Sequence, residues 1–179
     1  MEIFASTARL ILRELIPADA PGMFALDSDP GVTRYLAGQG ITTLEEAREK
    51  INFIRQQYKE NGIGRWAVIE KDSNDFVGWA GLKLITTPFN NHVNYYDLGY
   101  RFIKQYWGMG YATECTIALL NYGFTQLKQD VIYACADVDN IGSGRVLEKT
   151  GFTLQETFYH DQVLHNWFKI SREEWAQRY

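Results

Sequence analysis

The sequence predicts an α/β (α+β) fold: a mixed, mostly antiparallel central sheet with flanking helices, in one domain spanning residues 1–179. Three observations carry this. Apolar strand-like stretches come in neighbouring pairs, as in "RWAVIE" (65–70) and "FVGWAGLKLI" (76–85) around the polar turn "KDSND". One strand–helix–strand unit (94–138) has the length of a parallel crossover, which is right-handed by rule. The 179 residues, 46% hydrophobic and 22% charged, suit a single well-filled core.

The elements follow in order. "RLILRE" (9–14) alternates Leu10 and Leu12 against charged neighbours, as a strand does. Residues 17–29 read as a short helix with a breaker inside it. The 43–62 segment is a strong helix: Thr43 and Glu46 form a capping box, apolar residues recur at 47, 51, 54 and 58, and Gly62 ends it. After the hairpin, "NYYDLGYRFI" (94–103) is a strand. A helix from Gly110 to about Gln126 places Tyr111, Cys115, Ala118, Leu119 and Tyr122 on one face. "VIYACADV" (131–138) is a buried strand, and residues 141–151 form a short helix closed by Gly151. Strands at 152–158 and 164–170 precede a last helix capped by Ser171 and Glu174.

Several classes are disfavoured. The net charge of −4 and pI near 5.4 argue against a nucleic-acid partner. No apolar run reaches the ~18–20 residues of a membrane span, so no membrane association is expected. The N-terminal stretch has an early acid and no apolar core, unlike a signal peptide. Cys115 and Cys135 lie in apolar surroundings and read as reduced thiols of a cytoplasmic protein. His92, His160 and His165 show no ligand spacing with acids or cysteines, so no metal is expected.

The informative stretch is "QYWGMGYATE" (105–114), with two glycines one residue apart between a strand and a helix. A plain turn would use them. So would an anion site, because a helix N-terminus leaves amides unpaired and glycine lets a phosphate approach closely. A dinucleotide fingerprint fits poorly, with Thr113 at the third glycine position and Asp130 as the distant acid. A P-loop fails, since no Gly-Lys-Ser/Thr follows.

The third possibility is a coenzyme A pyrophosphate site, and here "Q-Y-W-G-M-G" resembles the Q/R-x-x-G-x-G/A signature of the GNAT acetyltransferase superfamily. "VDNIGSGRVLEKTGF", with Asn140 32 residues after Gly108, resembles the family's second cofactor element. "ARLILRELIPAD" and "ISREEW" are similar to one branch, the RimJ/RimL-type N-terminal acetyltransferases of ribosomal proteins. The resemblance covers nearly the whole chain.

It implies a sheet split into a V between the strands at 94–103 and 131–138. The pantetheine arm of acetyl-CoA would lie there like an added strand, against the backbone of Tyr100, Arg101 and Phe102. The loop of Gln105, Tyr106, Trp107, Gly108, Met109, Gly110, Tyr111 and Ala112 would hold the cofactor, with the amides of 106–111 on the pyrophosphate. Trp107 would wall the site, although a lone Trp reads simply as core. Asn140 would bond the cofactor arm, although it also suits a turn after the strand.

In many relatives a tyrosine serves the departing thiolate; that position is Leu147 here. In the similar branch a serine at the position of Ser143 is the proposed donor. Ser143 reads as a hydrogen-bond donor to sulfur, with a helix-start role as the alternative. A backbone N–H near Tyr100 would serve the oxyanion. Asp97 is the leading candidate for the base, acting directly or through water, with a solvated or paired strand acid as the alternative. Glu156 is a second acid that could face substrate.

The implied function is acetyl transfer from acetyl-CoA to a primary amine, either a protein N-terminus or a small amine, by a monomer or homodimer. The rival class is a non-catalytic acyl-CoA-binding domain. Sequence does not show the acceptor, because one fold serves many.

Overall fold

The computed structural model describes residues 2–35 and 40–179. Among these residues eight strands form one sheet: β1 (Ile3–Ser6), β2 (Leu10–Arg13), β3 (Arg65–Glu70), β4 (Phe76–Ile85), β5 (Tyr95–Phe102), β6 (Val131–Asp137), β7 (Thr153–His160) and β8 (Val163–Ser171). Their spatial order is β1-β2-β3-β4-β5-β6-β8-β7. Every neighbouring pair is antiparallel except β5 and β6, the two strands joined by the central helix. The expected mixed, mostly antiparallel sheet is therefore present.

Among the described residues six α-helices flank it: α1 (Ala20–Asp27), α2 (Pro30–Thr33), α3 (Leu44–Asn61), α4 (Tyr111–Thr125), α5 (Ile141–Lys149) and α6 (Arg172–Arg178). The side-chain alternation of the strands feeds two cores. On one face Leu15, Met23, Leu26, Ala47, Ile51, Ala67 and Ile69 pack α1 and α3 against β2 and β3. On the other, Leu10, Leu12, Trp66, Val68, Leu98, Leu119 and Leu147 pack the sheet against α4 and α5. Both expected capping boxes form, at Thr43/Glu46 and Ser171/Glu174.

Two elements lie outside the sequence reading. β1 is four residues long and holds by tertiary contact, Phe4 stacking on the Trp66 ring at 4.3 Å. α2 is a single turn, started by Pro30 and by the Asp29 carboxylate, which accepts from the Gly31 N–H at 2.7 Å. A period-based reading has no power over either length.

Candidate active site

The decisive feature is how little of β5 meets β6. Asp97 opposite Tyr133 is the one registered pair between them, whereas β4 and β5 pair continuously from Gly78–Phe102 to Ile85–Tyr95. Past Asp97 the edge of β5 separates from β6 and the sheet opens. This is the V expected between these strands. A cavity of about 270 Å³ occupies it, lined by Asp97, Tyr100, Arg101, Cys135, Asp137, Asn140, Ser143 and Leu147, with Tyr35, Trp79 and His165. A wider, open hollow of about 730 Å³ between β1 and α4 shares no residue with the 105–112 loop.

Beyond the open edge, residues Lys104–Tyr106 form a 3-10 turn that leads into the two glycines. Gly108 and Gly110 take φ of +75° and +82°, a conformation that strains any other residue. A Cβ on Gly108 would meet nothing within 4 Å, so this position faces open space that an incoming group can use. Gly110 is the N-cap of α4, whose first helical bond runs from Glu114 N–H to Gly110 C=O. The amides at 111–113 precede it and form the positive end of a 15-residue helix. The Tyr106 and Trp107 amides already donate to Ile103 and Lys104, so of the amides expected at 106–111 only those from Gly108 onward could receive an anion. Trp107 is not core: it is half exposed, and its indole N–H donates to the Phe102 carbonyl at 2.7 Å.

One bracing residue has no distinctive sequence signal. Arg9, at the start of β2, donates to the Met109 carbonyl at 2.9 Å and to Glu114 at 2.8 Å, and lies 4.6 Å over the Tyr111 ring. Tyr111 itself is buried, its hydroxyl on Glu70. Gln105 and Ala112 lie on the same loop and first turn, and the Tyr106 hydroxyl donates to Asp75.

Across the split, the Asn140 side chain caps α5 by accepting from the Ser143 N–H at 3.1 Å. The capping role thus belongs to Asn140, and the Ser143 hydroxyl is free of it. That hydroxyl lies 3.1 Å from the Tyr100 phenol oxygen, whose single proton also has the Ser143 carbonyl within reach at 3.0 Å. Burial raises the Tyr100 pKa, and the Ser143 contact only partly offsets it. Leu147 points into the core at 1% exposure.

Asp97 is a paired acid. Its Oδ2 accepts from Arg65, whose guanidinium also reaches the Asp97 carbonyl at 2.7 Å. Gly99 makes this possible, because a Cβ there would collide with Arg65 Nη2 at 2.7 Å. Burial pushes the Asp97 carboxyl up, and the charges of Arg65 and Lys83 draw it back without cancelling the rise. Arg101 is held by Asp27 at 2.5 Å and lies 4.9 Å over Trp79. Glu156 stands apart on β7, exposed and accepting from Asn90 at 2.9 Å, outside the cavity lining. Among the described residues, no three His, Cys, Asp or Glu side chains gather as a metal site, and no helix is long and apolar enough to cross a membrane.

A family model described as an acetyltransferase (GNAT) domain matches residues 9–153. The chain is similar to the uncharacterized N-acetyltransferase YoaA of Bacillus subtilis (strain 168), 32% identical over 146 residues, covering 82% of this chain and 80% of the relative. Its fold is similar to the crystal structure of a GNAT-family acetyltransferase from Bacillus anthracis, with TM-score 0.79, 28% identity, and coverage of 97% and 99% of the two chains. It also resembles RimL, a ribosomal L7/L12 α-N-protein acetyltransferase solved in complex with coenzyme A, with TM-score 0.79 over 95% of this chain and 98% of that one; at 19% identity this is a likeness of fold alone. The open strand edge, the glycine loop at a helix start and these similarities together mean that the chain belongs to the GNAT acetyltransferase family and is an acetyl-CoA-dependent acetyltransferase.

Proposed function

We propose that the chain transfers acetyl from acetyl-CoA directly to a primary amine in the split between β5 and β6, the amine being a protein N-terminus or a small molecule. The observation that carries this is the single pairing at Asp97–Tyr133, which leaves an open strand edge running straight toward Gly108 and Gly110. An extended pantetheine arm suits such an edge, and a pyrophosphate suits the amides beyond it.

Direct transfer is favoured over an acyl-enzyme by the one thiol in the cavity. Burial, helped by Asp97 and Asp137, pushes Cys135 up to about 12, so it stays protonated and weakly nucleophilic at neutral pH. The amine reaches the site as an ammonium and must lose a proton before it attacks. Asp97 is the base we assign. One carboxylate oxygen is held by Arg65, and the other has no partner among the described residues, leaving it for a water or the amine. The N–C bond forms as the amine attacks, the C–S bond breaks, and its electron pair goes to sulfur. Ser143 Oγ–H donates to that sulfur. A thiol is a tolerable leaving group, so a hydrogen bond suffices where a strong acid is absent.

Acetyltransferase character across the relatives speaks against a non-catalytic binder. The acidic Asp97 and Asp137 in the cavity suit an ammonium-bearing acceptor, and the branch resemblance favours an α-amino group. Two reduced thiols suit a cytoplasmic setting. The test is thiol release from acetyl-CoA with a panel of peptides bearing free N-termini, polyamines and aminoglycosides. Turnover with a peptide α-amine supports the branch. Turnover with polyamines alone removes it, and no release with any amine removes the proposed function.

A further inference from the structure

The Ser143 assignment leaves a physical problem. A serine hydroxyl rotates freely, and a donor that wanders among orientations stabilises a departing thiolate poorly, because electrostatic help depends on a fixed dipole. α5 supplies no second group to fix it: Asn140 is engaged with the Ser143 amide, and Leu147 is packed in the core. A phenol on the other strand of the split reaches Ser143. Tyr100, on β5, reaches α5 and places its oxygen 3.0 Å from the Ser143 carbonyl and 3.1 Å from Ser143 Oγ.

We propose that Tyr100 is a positioning residue for acetyl transfer, its phenol fixing the Ser143 hydroxyl as a hydrogen-bond donor to the departing sulfur. This rests on the function proposed above. The phenol has one proton, with the Ser143 carbonyl at 3.0 Å and Oγ at 3.1 Å both in reach, and the positioning role uses the bond to Oγ. When it donates to Ser143 Oγ, the serine proton cannot point back at Tyr100 and must point elsewhere, into the cavity that Ser143 lines. A hydroxyl that accepts one hydrogen bond is also polarised into a stronger donor of the next. The Tyr100 proton does not leave: burial raises its pKa, so it remains a phenol throughout. The step therefore balances without it. The ammonium gives one proton to the base, the N–C bond forms, the attacking nitrogen sheds its second proton to solvent, the C–S bond breaks with its electron pair on sulfur, and the thiolate takes up a proton from solvent. The same contact explains how this chain dispenses with a phenol at position 147. Tyr100 supplies one from the opposite wall, acting through serine rather than directly on sulfur.

The experiment is a double-mutant cycle of Tyr100→Phe and Ser143→Ala, read as single-turnover acetyl transfer from acetyl-CoA to the best amine of the panel, with the KM for acetyl-CoA and the unfolding midpoint measured alongside. A purely structural tyrosine would lower the midpoint without coupling to Ser143. Tyr100→Phe is expected to slow transfer roughly three- to tenfold with KM within about twofold of wild type, and Ser143→Ala roughly ten- to a hundredfold. The double variant is expected to match Ser143→Ala alone, because without the hydroxyl there is nothing to position. A wild-type rate in Tyr100→Phe, or losses that simply multiply in the double variant, overturns the inference while leaving the proposed function intact. No thiol release by the wild type with any amine overturns both. If Tyr100→Phe unfolds at the assay temperature, 3-fluorotyrosine at position 100 keeps the shape and strengthens the donor. Transfer at or above the wild-type rate then supports the positioning role, and a slower rate overturns it.

Discussion

Asp97 and Tyr133 stand opposite one another as the only registered pair between two strands that are otherwise free to part. A parallel pair held at a single point is an unusual use of strand backbone, since unpaired N–H and C=O groups on an apolar edge invite association. Filling the open edge with an extended ligand removes that liability and gives the ligand main-chain hydrogen bonds in return. The site is thus a defect in the sheet, positioned by the crossover helix whose start carries the glycine loop.

The first prediction concerns that ligand. Acetyl-CoA at a hundred times its Kd should stabilise the folded chain by about 2.7 kcal/mol, since a ligand that binds only the folded state shifts the equilibrium by mass action. For a chain of this length that is a rise of roughly 5–10 °C in Tm. NAD at the same concentration should leave Tm unchanged. Thermal unfolding with each ligand checks this, and a rise with NAD alone contradicts the site.

The second prediction separates backbone strain from cofactor contact. Gly108→Val meets no neighbouring atom, so its folding cost is only that of a side chain at positive φ, about 1–3 kcal/mol. The same Cβ stands where a phosphate approaches, and the KM for acetyl-CoA should rise at least roughly tenfold. Gly110→Val should act in the same direction, at the same positive-φ cost, with its Cβ in ordinary contact with Arg9, the brace of the loop, at 3.5 Å. An unchanged KM in both variants would make the loop a plain turn.

Much of this was legible in sequence. The two capping boxes, the hairpin around residues 71–75 and the crossover unit follow from local rules that tertiary packing did not override. The glycine pair signalled a loop with positive φ, because that is a backbone requirement that only glycine meets cheaply. What sequence could not show is pairing across the fold. Arg65 lies 32 residues from Asp97 and reaches it only because Gly99 leaves room. Arg9 meets Glu114 from more than a hundred residues away. The family resemblance singled out Tyr100 only for its backbone, and its phenol meets Ser143 only because β5 and α5 face each other across the split.

The third prediction concerns Asp97. Its carboxyl is raised above the ordinary value of 3.8, burial outweighing Arg65 and Lys83. A raised carboxyl favours the folded state most when protonated. Its contribution is complete below about pH 4 and is lost as pH rises through the folded pKa. Wild type should therefore lose stability relative to Asp97→Asn over that rise. Denaturant midpoints of both proteins between about pH 4 and 7 check the sign; a difference that moves the other way would mean that the Arg65 pair dominates. If Asp97 is the base, the same variant should lose roughly 10²-fold or more in turnover at neutral pH with little change in the KM for acetyl-CoA.

The last prediction concerns Arg9, which acts on the cofactor loop from outside it. Its guanidinium joins the Met109 carbonyl to Glu114 and lies over Tyr111, so it fixes both the carbonyl between the two glycines and the first turn of α4. The pair with Glu114 is half exposed on the arginine side, and exposed pairs contribute at most about 1 kcal/mol to stability. Arg9→Ala should therefore fold with a midpoint close to that of wild type. The loop, however, loses the contact that orders it, and ordering it on binding then draws on the affinity for acetyl-CoA. The KM for acetyl-CoA should rise roughly three- to tenfold, while kcat at saturation stays within about twofold, because the reacting atoms lie at the other end of the split. Arg9→Lys keeps the charge but not the two-way fork, and should fall between the two. Steady-state kinetics of the three proteins decide the matter. A fall in kcat with unchanged KM would place Arg9 in the chemistry rather than in the loop, and unchanged kinetics would reduce the bridge to surface decoration.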